Sequence, residues 1–101
     1  MAGVGDLYKT SSALGRNFKI EVATEDTPVV FGGNMDAAPL RSSIEIYNEG
    51  PADVYLYFLG SSRDAARKLM PDSFISYSIT KDVIVIAYTL ENVAVLKCTE
   101  I

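Results

Sequence analysis

The chain has 101 residues, with 9 Lys and Arg against 13 Asp and Glu for a formal charge of −4, and it contains no His, no Trp and one Cys. Without histidine there is no Ser-His-Asp or Cys-His catalytic arrangement and no imidazole-ligated zinc site, and a lone Cys98 makes neither an internal disulfide nor a CxxC knuckle. The acidic balance disfavours binding to a phosphate backbone, while 49% hydrophobic residues in a chain of this length are enough for one core.

Residues 1–16, rich in Gly, Ser and Ala and without a sustained period, read as an extended N-terminal arm, and residues 17–101 as a single domain. Leu7, Tyr8 and Leu14 are apolar points on that arm, placed to dock on this domain or on a neighbour. No basic segment leads into a long apolar run, so neither a secretory signal nor a membrane-spanning helix is expected, and synthesis in a cytoplasm is.

From residue 17 the period becomes two. Phe18, Ile20 and Val22 alternate with Lys19 and Glu21 as a half-buried strand, and Glu25–Pro28 is a turn. Val29–Phe31 is a short strand closed by Gly32 and Gly33, and residues 34–40 are a loop. Ser43–Tyr47 alternates again with Ile44 and Ile46 inward; Asn48–Pro51 then turns the chain into Val54–Leu59. The one helical candidate is 61–70, where Ser62 is a cap and Ala65–Leu69 are good formers, stopped by Pro71. Ser73–Ile79, Val83–Tyr88 and Val93–Lys97 complete about seven strands. Turn signals every eight to twelve residues predict an all-β fold: an antiparallel β-sandwich or jelly-roll-like barrel with one short helix.

Three strands lack the alternation that a wet outer face requires. Val54, Leu56 and Phe58 face one way and leave Tyr55, Tyr57 and Leu59 on the other; Val83–Tyr88 and Val93–Leu96 are apolar on both sides. A cover is expected for the second face: the arm, the 61–70 segment, or another subunit. Tyr47, Tyr55, Tyr57 and Leu59 join Leu7, Tyr8 and Leu14 as candidate interface residues, because tyrosine buries apolar area while its hydroxyl reaches water or a partner. No catalytic, cofactor or metal residue is expected. The aspartates fall in turns, which they favour by bonding to the backbone, and no stretch has the oxygen spacing of a calcium loop.

Asn48-x-Gly50, the aromatic strand Val54–Tyr57, Leu69-x-Pro71-Asp72-Ser73, and the apolar strands Val83–Tyr88 and Val93–Leu96 together resemble the small β-sandwich subunits of tailed-phage virions, such as decoration, neck and tail accessory proteins. Asp72 stands where that pattern has glycine. The resemblance implies a non-enzymatic virion component, homo-oligomeric, with arms that reach neighbours and a larger partner such as the major capsid protein, and with neither nucleic acid nor membrane as partner. The other expectation is a small carbohydrate-binding module that stacks sugars on Tyr47, Tyr55 and Tyr57.

Overall fold

The computed structural model describes residues 15–30 and 41–101. They form eight strands: β1 (Arg16–Val22), β2 (Thr27–Pro28), β3 (Ile44–Pro51), β4 (Val54–Phe58), β5 (Arg67–Leu69), β6 (Phe74–Tyr77), β7 (Val85–Tyr88) and β8 (Ala94–Glu100). The first sheet has the order β1-β8-β3-β6 and the second β2-β7-β4-β5, with every pairing antiparallel. Strand 1 pairs with 8, 2 with 7, 3 with 6 and 4 with 5. The chain is therefore one long hairpin of paired strands, tipped by the β4–β5 link and rolled so that β3 meets β8 and β4 meets β7. That connectivity makes the sandwich a jelly roll.

The core lies between the sheets and is built by period-two alternation. Ile44 and Ile46 of β3, Val54 and Leu56 of β4, and Ala94, Leu96 and Cys98 of β8 all point inward. They pack with Phe18, Val22, Leu69, Val85 and Ala87. Burial pushes the Cys98 thiol up to about 12.

Two inward positions are polar. Asn48, fully buried, donates from Nδ2 to the carbonyls of Ala52 and Leu69, while its Oδ1 accepts from Gly50 N–H. It thus holds the β3–β4 turn, a register shift between Asn48 and Gly50, and strand β5 of the opposite sheet. Gly50 is required there: its φ is +83°, and a Cβ would lie 3.1 Å from Pro71 Cβ. At the other end, the buried carboxylate of Glu100 lies between Arg16 Nε at 2.7 Å and Arg41 Nη1 at 3.1 Å. Arg41 also donates to the carbonyls of Thr80 and Val83.

The 61–70 stretch is not a helix. Ser62 Oγ does accept from Asp64 N–H, but it caps a single 3-10 turn at Arg63–Ala65, and Arg67–Leu69 is an edge strand. Good helix formers are overridden because Leu69, paired with Val54, buries its side chain in the core as a strand residue. Similarly, β2 begins earlier than the apolar run Val29–Phe31: Thr27 and Pro28 pair with Ala87 and Ile86, and Val29 N–H continues the ladder to Val85.

Candidate functional site

The outer face of the second sheet carries an aromatic cluster. Tyr55 and Tyr57 alternate outward from β4, which places them opposite Tyr88 and Ile86 of β7. Tyr55 stacks on Tyr88 with ring centroids 5.4 Å apart at 18°, and Tyr57 meets Tyr88 edge-on at 6.1 Å and 67°. The capped 3-10 turn brings Arg63 over Tyr88, its Cζ 3.8 Å from the ring centre. Asp26, in the β1–β2 turn, accepts from Tyr57 Oη at 2.8 Å and lies 3.7 Å from Arg63 Nε. Donation to that carboxylate raises the Tyr57 pKa above its ordinary value. Beside this group Val30, Ile84 and Ile86 form a second buried apolar cluster, with Tyr57 packed against it. The apolar outer face expected from the sequence is therefore covered to a large extent within one copy of the chain, and the 61–70 segment supplies part of that cover through Arg63.

A cleft of about 260 Å³ opens at one end of this face, lined by Pro51, Ala52, Asp53, Tyr55 and the Leu90–Asn92 turn. Both walls are braced by hydrogen bonds: Asn48 holds Ala52, and Thr89 Oγ1 donates to the Asn92 carbonyl. Lys68 lies 3.4 Å from Asp53. An aromatic ring beside carboxylates and an amide suits a ligand with an apolar face and hydrogen-bond donors. Among the described residues no cluster of Asp, Glu or Cys could hold a metal ion.

Tyr47 is on the other side of the molecule. It points out from β3 in the first sheet, opposite Phe74 of β6, and its hydroxyl donates to Asp72 Oδ1 at 2.8 Å, which raises its pKa. Lys97 and Lys19 continue the same row across β8 and β1, and both approach Glu49 Oε1, at 3.1 and 3.4 Å. The hydrogen bond from Lys97 holds the Glu49 carboxyl below its usual range.

The structure thus brings Tyr55 and Tyr57 together and separates Tyr47 from them, so the three tyrosines do not form one stacking platform. Leu59 follows β4 in an exposed turn. Leu7, Tyr8 and Leu14 lie outside the described residues. Asp26 in a turn and Arg63 in a stretch whose sequence reads as helix carry no sequence signal of a partner shared with the tyrosines. Because Val83–Tyr88 is apolar on both sides, its sequence does not show that Tyr88 lies on the outer face.

No family model matches the chain, and no curated protein matches it. Among solved structures it is similar to the Neisseria meningitidis protein NMB1881 (TM-score 0.54, 10% identity, 86% of this chain and 74% of that one). It is also similar to a subunit of Bacillus endospore appendages, described as disulfide-linked pili (TM-score 0.52, 11% identity, 85% and 83%). A third likeness is to Fe(II)-HppE with an alternative substrate (TM-score 0.52, 9% identity), where 87% of this chain spans 43% of that one. At these identities the likeness is one of fold.

Proposed function

We propose that the chain is a non-enzymatic structural subunit of a virion, a capsid decoration or other head or tail accessory protein. It would work through contacts with its own copies and with a larger shell protein such as the major capsid protein. The observation that carries this reading is where the large apolar side chains reach solvent. Phe58 is 37% exposed, Leu59 55%, Met70 56% and Phe74 65% within the β4-to-β6 stretch, and Leu90, Val93 and Ile101 are exposed outside it, while a largely aliphatic core fills the interior of the roll. This many large apolar side chains in contact with solvent favour burial against another protein. The jelly roll serves viral capsid and lectin domains alike, so the architecture supports this reading only by analogy. The test is cosedimentation of the full chain, and of a form lacking residues 1–14, with virion shells stripped of accessory proteins. Saturable pelleting of the full chain, weakened by the deletion, is expected; no pelleting with any shell overturns the reading.

A second reading, a small carbohydrate-binding module, is favoured by the cleft beside Tyr55. There the tyrosine ring would stack on one sugar, with Asp53, Glu91 and Asn92 available to its hydroxyls. A glycan array separates the two readings: specific binding abolished by Tyr55→Ala supports the module, and a blank array removes it.

A further inference from the structure

Directly opposed residues of an antiparallel pair leave the same face of a sheet. On strand β5, Leu69 opposes Val54 and Arg67 opposes Leu56, so Arg67 belongs to the row that faces the first sheet, one step beyond the core. Its charge acts there on Tyr77 of β6, whose ring meets Phe58 edge-on at 5.1 Å. At this end of the sandwich, bounded by Phe58 of one sheet, Tyr77 of the other and the 61–65 segment, lies a recess of about 170 Å³.

The apolar part of the lining comes from Leu56, Phe58 and Ala65, and the polar part is supplied by donors: Arg67, Tyr77, Ser61 and Ser62. Tyr57 also borders the recess, but its hydroxyl is committed to Asp26. Ser62 Oγ accepts from Asp64 N–H, which leaves its own proton to donate. Among the described residues no carboxylate lines the recess, Arg67 has no ion-pair partner, and the half-buried Tyr77 hydroxyl has no hydrogen-bond partner. The neighbouring cations are engaged, Arg63 with Asp26 and Tyr88, and Lys68 with Asp53. An inward-facing guanidinium, a phenol and two serine hydroxyls thus converge on a space that holds no acceptor charge of its own.

We propose that this recess binds a small free monocarboxylate with a compact apolar body. Its carboxylate lies on Arg67 and Tyr77, and its ring or short hydrocarbon lies against Phe58 and Leu56. A guanidinium meets a carboxylate through two parallel hydrogen bonds, and an ionised carboxylate accepts without needing a donor in return. The volume equals about five or six water molecules at roughly 30 Å³ each, the size of one ring or a short chain. An inorganic dianion fits less well, because it would meet a single cation and lose hydration against the apolar wall. The site is separate from the cleft beside Tyr55 and does not rest on the assembly reading.

A nuclear magnetic resonance titration of the full chain with benzoate tests it. Amide shifts at Phe58, Ser61, Arg67 and Tyr77 are expected to saturate together. Arg67→Gln should raise the dissociation constant about tenfold or more, and benzyl alcohol, which keeps the ring without the charge, should bind the unaltered chain about tenfold more weakly. Lys68→Gln removes an equal charge from the other face of β5 and should leave benzoate binding within about twofold. Both positions are exposed, and a dispersed amide spectrum shows that each variant is folded. No saturation with benzoate, or equal losses in Arg67→Gln and Lys68→Gln, overturns the site. Benzyl alcohol binding as tightly as benzoate overturns the carboxylate, and inorganic phosphate doing so overturns the apolar body. N-acetylglutamate binding more tightly than benzoate overturns the free acid in favour of an acidic side chain.

Discussion

Asn48 concentrates more of the local architecture than any apolar residue near it. Its amide satisfies two carbonyls and one N–H, so removing it leaves two buried backbone groups unpaired, at Leu69 and Gly50, at about 1–3 kcal/mol each, and a partly buried one at Ala52. Asn48→Ala is expected to lower stability by about 2–4 kcal/mol in urea unfolding, with a fall in melting temperature of about 10 °C or more. Part of this was legible: Asn48-x-Gly50 reads as a turn, and a polar residue at an inward position two after Ile46 marks a special site. Its bond to Leu69 was not legible, because that partner lies in the other sheet. Asp72 shows the same division. It adopts a φ of +64°, the conformation glycine favours, so the sequence pattern named the backbone need but not the bond its carboxylate accepts from Tyr47.

Cys98 gives a pH dependence with a definite sign. In the unfolded chain the thiol ionises near 9, and in the native core only at about 12. Between these values the unfolded state binds fewer protons, so stability falls as pH rises; below pH 9 the contribution is fully present. Urea unfolding at pH 8, 9.5 and 10.5 should show the wild type losing stability relative to Cys98→Ala as pH increases. A constant difference between the two would contradict the burial of the thiol. In native buffer at pH 8 the thiol should also resist alkylation until the chain unfolds.

Among the elements, those with strict alternation were readable and those defined by distant pairing were not. Strands β1 and β3 show their inward residues in the sequence because a single face is apolar. Strand β5 could not be recognised from three residues of good helix formers; it exists because β4 offers it a ladder and the core takes Leu69. The ion pair that closes the end of the roll was equally hidden, since Arg16, Arg41 and Glu100 are separated by most of the chain. Glu100 sits at an inward position of β8, where an unpaired carboxylate would be costly, and the two guanidiniums compensate it. Arg41→Met should therefore cost about 3–5 kcal/mol in urea unfolding. The Arg41→Met/Glu100→Leu double variant should regain a large part of that, because no buried charge is left partly paired and Arg41 Nε already lacks a partner. Equal loss in the single and double variants would show that Arg41 acts through its bonds to Thr80 and Val83 rather than through the carboxylate.

At the scale of the whole molecule, the two-sided apolar strands predicted a covered outer face, and a single copy covers much of it with Tyr57, Tyr88 and Arg63. The surplus that remains exposed lies elsewhere, from Phe58 to Phe74 and at Leu90, Val93 and Ile101. Alternation alone could not locate it. Which strand forms an edge is a property of topology, and that topology depends on β5, the strand whose sequence reads as helix. The central claim is that this chain works by contact with other protein surfaces, its own copies among them. Sedimentation equilibrium of the purified full chain from low to high micromolar concentration tests it most directly. The account predicts a mass that rises from 11.0 kDa to a defined multiple as concentration increases; a mass fixed at that of one chain across the whole range would contradict it.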